Sequence, residues 1–195
     1  MDLNIVWFIL ITVLFSGFFL LEGFDYGVGH LAPFITDDSK ERRLLLHTIA
    51  PVWDGNEVWM ITAGGALFAA FPHVYATLFS AFYLPLFLLL MALILRGAGI
   101  ELRNRSAFPE WHNFWDWAVS FGSALPAFLW GVTVANLCAG LEINANMIYI
   151  GKMLDLLSGY TIVGGLAFLF VFSFHGAAFL LLRLSHSPLE ERGSR

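Results

Sequence analysis

The chain has 195 residues, of which 58% are hydrophobic and only 13% charged, with a net charge of −5. Soluble domains carry about 25% charged residues, so this composition and a mean hydropathy of +0.74 exclude an ordinary soluble globule. The acidic balance and the lack of a basic patch speak against nucleic acid as a partner, and a single cysteine, Cys138, excludes an internal disulfide or a multi-cysteine metal site.

A helix needs about 20 residues to cross roughly 30 Å of hydrocarbon. Leu3–Leu21 supplies 19 uncharged residues, Val74–Leu95 and Val119–Gly140 supply 22 each, and Tyr160–Leu182 supplies 23 with His175 its single ionisable group. The first segment lacks the basic start and short apolar core of a cleaved signal peptide and is expected to stay as a span. The segment 44–71 is less apolar because it carries Asp54 and Glu57, and the cations decide how it is read. If it crosses, Lys40, Arg42, Arg43, Arg96, Arg103, Arg105, Arg183, Arg192 and Arg195 fall on one side, and Lys152 alone falls on the other. The positive-inside rule then gives an all-α, polytopic transmembrane helix bundle within 1–184. Its five spans are about 3–30, 44–71, 74–96, 117–140 and 160–183, with the N-terminus outside and a polar cytoplasmic tail at 185–195. Trp111, Trp115 and Trp117 mark an aromatic belt before the fourth span. Ser39 is the expected cap of the next helix.

Taken along the chain, the first chemistry is at Glu22-Gly23-Phe24-Asp25-Tyr26-Gly27. Acids three residues apart share a helix face, and Gly23 with Gly27 lets another helix approach closely. The pair reads as a proton relay or charge partner, or more plainly as the end of a long helix reaching water. Asp54 and Glu57 follow, flanked by Trp53 and Trp59 and joined by the amide of Asn56. A charge near the bilayer centre costs about 2.5–3.5 kcal/mol on insertion scales, so such acids are expected to serve proton handling or to pair with a cation. Arg96, at the end of the third span, is the expected structural partner. Gly64 and Gly65 mark a helix-packing face. His30, His47 and His175 are ordinary packing or loop histidines unless the chain binds haem itself, and no zinc, Walker or nucleophile motif is present.

Two segments, Gly23-Phe24-Asp25-Tyr26-Gly27-Val28-Gly29 and the run Pro51-Val52-Trp53-Asp54-Gly55-Asn56-Glu57-Val58-Trp59 continuing to Pro72, resemble subunit II of cytochrome bd ubiquinol oxidase. Glu41-Arg42-Arg43 and Asn113-Phe114-Trp115-Asp116-Trp117 fit the same pattern. The resemblance implies a respiratory quinol oxidase that reduces O2 to water and draws the consumed protons from the cytoplasm, building proton motive force across the bacterial inner membrane. It implies a haem-free supporting chain, not itself catalytic, beside a subunit I that bears haems b and d. It also implies a cytoplasmic proton path and, in some members, an oxygen route or a structural quinone. By position, Asp54 resembles the proton-relay acid, with Asp25 and Glu22 as companions. Glu57 stands where some relatives carry Gln, Trp59 resembles the residue of oxygen access, and Arg96 matches a basic residue closing the third helix. No metal ligand in this chain is implied. Family members are about twice as long, so the chain is expected to be a truncated product or half of a split subunit. The implied partners are therefore subunit I, small single-span subunits, a separate C-terminal half of subunit II, and membrane lipid. A small proton-coupled transporter using the acid pairs is the alternative function.

Overall fold

A computed structural model describes residues 2–184, so the expected tail 185–195 lies outside the described residues. Seven α-helices form: α1 (Leu3–Ile35), α2 (Ser39–Ile49), α3 (Trp53–Ala70), α4 (Pro72–Ala81), α5 (Tyr83–Leu102), α6 (Pro109–Ala139) and α7 (Gly159–Leu184), with short 3-10 turns at Arg103–Arg105 and Met153–Leu156. An isolated bridge between Ile143 and Tyr149 is the β pairing present among the described residues. Among the described residues, four helices are long and apolar enough to cross a membrane, at Leu3–Ile35, Tyr83–Arg105, Pro109–Ala139 and Gly159–Leu184. The fold is thus a polytopic, all-helical membrane bundle.

Two expected spans are divided. The segment 44–71 splits at 50–52, because Pro51 has no N–H to continue the helix, and although Ala50 keeps helical angles, Val52 leaves them at φ −129°. Its second part, α3, is 18 residues long, about 27 Å at 1.5 Å per residue. Its Asp54, Asn56 and Glu57 keep it less apolar than the other four. The segment 74–96 breaks at Phe82, three residues before Pro85, which cannot donate to the Ala81 carbonyl. The cap of α2 is also one residue earlier than expected, since the Asp38 carboxylate accepts from the Lys40 N–H at 2.7 Å and Ser39 already belongs to the helix.

The core is built around α1 and α6. α6 runs antiparallel to α1, with Ser120 donating to the His30 carbonyl at 2.8 Å near one end and Phe15 meeting Trp130 at 6.4 Å near the other. α7 runs parallel to α1, through Phe19–Phe168 and the stacked Phe24–Phe179 pair. α3 returns antiparallel along α1, placing Asn56 beside Asp25 and Trp59 beside Gly17. One end of the bundle therefore collects α2, the end of α5 and the start of α6, with Lys40, Arg42, Arg43, Arg103 and Arg105, while Lys152 lies in the loop at the other.

Gly27 and Gly176 bring α1 and α7 into backbone contact: a Cβ at Gly27 would strike the Phe172 carbonyl and the Gly176 backbone. Gly23 meets the Phe172 ring and His175 on the same helix. Gly64 and Gly65 differ, because nothing lies within 4 Å of a Cβ built at either. Within this chain they are not a packing face, and they line an open cavity. Gly27→Ala is accordingly expected to lower stability by at least about 1–3 kcal/mol through overpacking. Gly65→Ala is expected to be neutral or stabilising by up to about 1 kcal/mol, because a helical glycine is replaced without a clash. Thermal unfolding of the detergent-solubilised chain checks both.

Candidate functional site

Glu22, Asp25 and Tyr26 occupy one face of α1 at i, i+3 and i+4 spacing. Across from them α3 presents Asn56 and Glu57, and α5 presents Arg96 six residues before its end. Glu22, Asp25 and Arg96 are each 0% exposed, which rules out the plain reading of the Glu22/Asp25 pair as a helix end reaching water. Arg96 Nη1 donates to Glu22 Oε1 and, at 3.1 Å, to Glu57 Oε1. Asn56 Nδ2 donates to Asp25 Oδ2 at 2.6 Å. The guanidinium also lies 4.8 Å from the Tyr26 ring centroid and 5.9 Å from that of Trp53, within the range of a cation–π contact. A planar guanidinium with five donors can serve two carboxylates and two rings at once, where a lysine could not. Three carboxyl groups from two helices thus face one cation, so the charge of this site is set by how many protons it holds.

Asp54 is not part of this group. It is exposed in the first turn of α3, where its Oδ1 accepts from the Gly55 N–H at 2.7 Å. Starting the helix at Trp53 leaves Asp54 among free N–H groups at the positive end of the helix dipole, a position that suits a solvated carboxylate. The expected pairing of Asp54 and Glu57 on one partner is therefore replaced by Glu57 and Glu22 on Arg96. Trp59 is 36% exposed, with its ring against Gly17 of α1.

A second buried ion cluster was not anticipated from the sequence. Asp116, 2% exposed on α6, accepts from Arg103 through Nε and Nη2 and from Arg42 Nη1 at 3.5 Å. Arg42 also donates to the carbonyls of Thr36 and Pro33, at 2.7 and 3.3 Å, and Arg103 to Ser39. These bonds tie the end of α1, α2, α5 and α6 into one corner. The signal is an acid within the Trp-rich start of α6, but in the sequence Arg42 and Arg103 serve only to place loops on one side of the membrane. Of the histidines, His30 is on α1, His47 is exposed on α2, and His175 packs edge-on to Phe24 at 5.7 Å. Among the described residues no group of three or more His, Cys, Asp or Glu is arranged to hold a metal ion.

A cavity of about 1150 Å³ opens between α1, α3, α4, α5 and α6, its wall including Phe15, Met60, Gly64, Phe68, Leu89 and Trp130. The hydroxyls of Thr12 and Thr133 on its wall are bonded to their own helices at 2.8 Å. Its lining is apolar apart from Thr12, Ser16, Tyr75, Tyr83, Thr133 and the Trp130 indole, and it includes no charged side chain.

The sequence model of the family described as cytochrome bd terminal oxidase subunit II matches residues 3–195. The chain belongs to the cytochrome bd terminal oxidase subunit II family. It is similar to cytochrome bd ubiquinol oxidase subunit 2 of Bacillus subtilis, at 45% identity over 182 residues, covering 93% of this chain and 54% of that protein. It is also similar to cytochrome bd-I ubiquinol oxidase subunit 2 of Escherichia coli K12, at 40% over 185 residues, 93% of this chain and 49% of that one. A probable cytochrome oxidase subunit 2 of Haemophilus influenzae is 41% identical over 189 residues, 95% of this chain and 50% of that one. The chain spans about half the length of these curated relatives. With its family and its apolar helices, it is a multi-pass protein of the bacterial inner membrane.

Removing the one cation of the first cluster leaves buried carboxyl groups uncompensated. Arg96→Met is expected to destabilise the chain by about 3–5 kcal/mol. Asp54→Asn, at an exposed position, should change stability by less than about 0.5 kcal/mol. Equilibrium unfolding in mild detergent measures both.

Proposed function

We propose that this chain serves as the haem-free subunit II of a bd-type quinol:O2 oxidase, supporting a subunit I that bears haems b and d and contributing a cytoplasmic proton path for the reduction of O2 to water. The observation that carries the proton-path reading is the buried Glu22–Arg96–Glu57 contact with Asp25 beside it. Acids at this depth on an apolar bundle mark ion or proton handling, and the cluster lies toward the end of the bundle that gathers the cations. In this reading Glu57, Glu22 and Asp25 form the buried stretch of the path and Asp54 stands at its solvated mouth. Oxygen access past Trp59 belongs to the same proposal, since that indole stands part-exposed on the apolar side of α1 and α3.

The proposed topology has five passes, with the N-terminus outside and the cation-rich end in the cytoplasm. Support comes from helix direction: α1 and α5 run parallel, so the chain between them must return, and α3 runs back along α1. Its 18 residues suffice when the polar first turn sits at the interface.

The chain, tagged in its native membrane and purified in mild detergent, tests this. The expected preparation contains a larger chain with b- and d-type haem spectra. In that preparation Asp25→Asn keeps the spectra while slowing quinol-driven proton uptake by about 100-fold, the scale of a lost proton-transfer group. A colourless preparation without a partner, or unchanged uptake in Asp25→Asn, contradicts it. Proton flux through liposomes holding this chain alone would make it a transporter instead.

A further inference from the structure

Five polar atoms of the first cluster are buried without a protein partner: Glu22 Oε2, Asp25 Oδ1, the Tyr26 hydroxyl, and Arg96 Nε and Nη2. Each such atom costs about 1–3 kcal/mol if nothing satisfies it, and native interiors leave few of them. All five belong to side chains that already meet one another: Arg96 touches Glu22 and lies over Tyr26, and Asp25 is one helical turn from Glu22. What they require is a molecule that accepts from a guanidinium and donates to carboxylates. A cation is disfavoured by Arg96, and an anion by the three carboxyl groups. Water does both, and buried water typically makes about three bonds to such groups.

The cluster also has an asymmetry. The side chain of Glu22 is 0% exposed, whereas that of Glu57 is 18% exposed, and Asp25 is fully buried behind the Asn56 amide. Glu57 is thus the one acid that touches Arg96 and also reaches the outside of the chain. Asp54, three residues earlier, is exposed, bonds its own helix start and makes no hydrogen bond or ion pair to the cluster among the described residues.

We infer that the space bounded by Glu22, Asp25, Tyr26 and Arg96 holds bound water, and that Glu57, not Asp54, is the group through which protons enter and leave it. This deepens the proton-path reading and rests on it. The step moves a proton and no electrons: the Glu57 carboxyl gives its proton to a bound water, and that water passes one of its own to the Glu22 or Asp25 carboxylate. The O–H bond broken at each stage is replaced by one formed at the next, and Arg96 stays protonated throughout. The titratable or charged groups facing this space are Glu22, Asp25 and Tyr26 from α1, Glu57 from α3 and Arg96 from α5.

Infrared difference spectroscopy on the purified complex, transferred between H2O and D2O, tests the inference. The buried carboxyl C=O band, assigned by its loss in Asp25→Asn, is expected to shift about 100-fold more slowly in Glu57→Gln than in wild type, the scale of a removed proton-transfer group. Glu57→Asp should recover most of the rate, and Asp54→Asn, at the solvated mouth where water can stand in for the carboxylate, should slow exchange far less than Glu57→Gln does. An O–H band that shifts with 18O-labelled water should change in Tyr26→Phe, which removes one partner without removing a charge. Equal exchange in Glu57→Gln and wild type, or slowing by Asp54→Asn to the same degree, overturns the assignment of Glu57. A water band indifferent to Tyr26→Phe overturns the hydrated site, and this readout stands if Glu57→Gln fails to assemble. Failure of the oxidase reading shows separately, as missing haem in the complex, and leaves the exchange rates readable.

Discussion

A single guanidinium, that of Arg96, must answer for carboxyl groups arriving from two other helices. Burying an ion costs several kcal/mol even after relaxation, and attraction repays it only with good geometry and further hydrogen bonds. Arg96 meets that condition in part, bonding Glu22 and Glu57 through Nη1 and lying over Tyr26 and near Trp53, while its Nε and Nη2 find no protein partner. Much of the surrounding structure follows. α1 and α5 must run parallel to set Glu22 beside Arg96, α3 must return along α1 to bring Glu57, and α6 must lie close on α5, where Gly122 fits against the Arg96 backbone.

The importance of this contact is greatest for α3. Its buried residues are Asn56 and Ala63, and Asn56 is held by Asp25. Beyond Trp59 the helix borders an open apolar cavity, not a packed wall. Helix association in lipid depends on close packing and interhelical hydrogen bonds, because burying apolar side chains gains little there. α3 has little of the first in this chain, so its polar first turns supply the second. The opposite case is the α1–α7 contact, where Gly27 and Gly176 allow backbone to touch backbone and no polar side chain is needed. At the cation-rich corner, Arg42, Arg103 and Asp116 fix α2 and the short turn after α5.

The sequence alone disclosed the helical membrane class, the acids and the family resemblance, because each is a local signal: long uncharged runs, carboxylates at i, i+3 spacing, and a contiguous motif. It did not disclose which acid turns inward. Asp54 and Glu57 look equivalent by spacing, and only the start of α3 at Trp53 separates a solvated first-turn carboxylate from one that reaches Arg96. Gly64 and Gly65 looked like a packing face for the same reason, since small residues signal room for a neighbour without saying whether this chain supplies it. The joins were hard to read because one proline, Pro51 or Pro85, breaks a helix whose hydropathy continues across it. Asp116 was overlooked because its two arginines lie 74 and 13 residues away, a separation no periodicity encodes.

The account depends on Arg96 and Glu22 stabilising the bundle as a pair. A double-mutant cycle of Arg96→Met and Glu22→Gln, read as unfolding free energy in mild detergent, measures that directly. A coupling of about 1.5–3 kcal/mol, with the double variant more stable than the sum of its parts, is the predicted result. Additivity within about 0.5 kcal/mol would contradict the claim that one buried cation organises this structure.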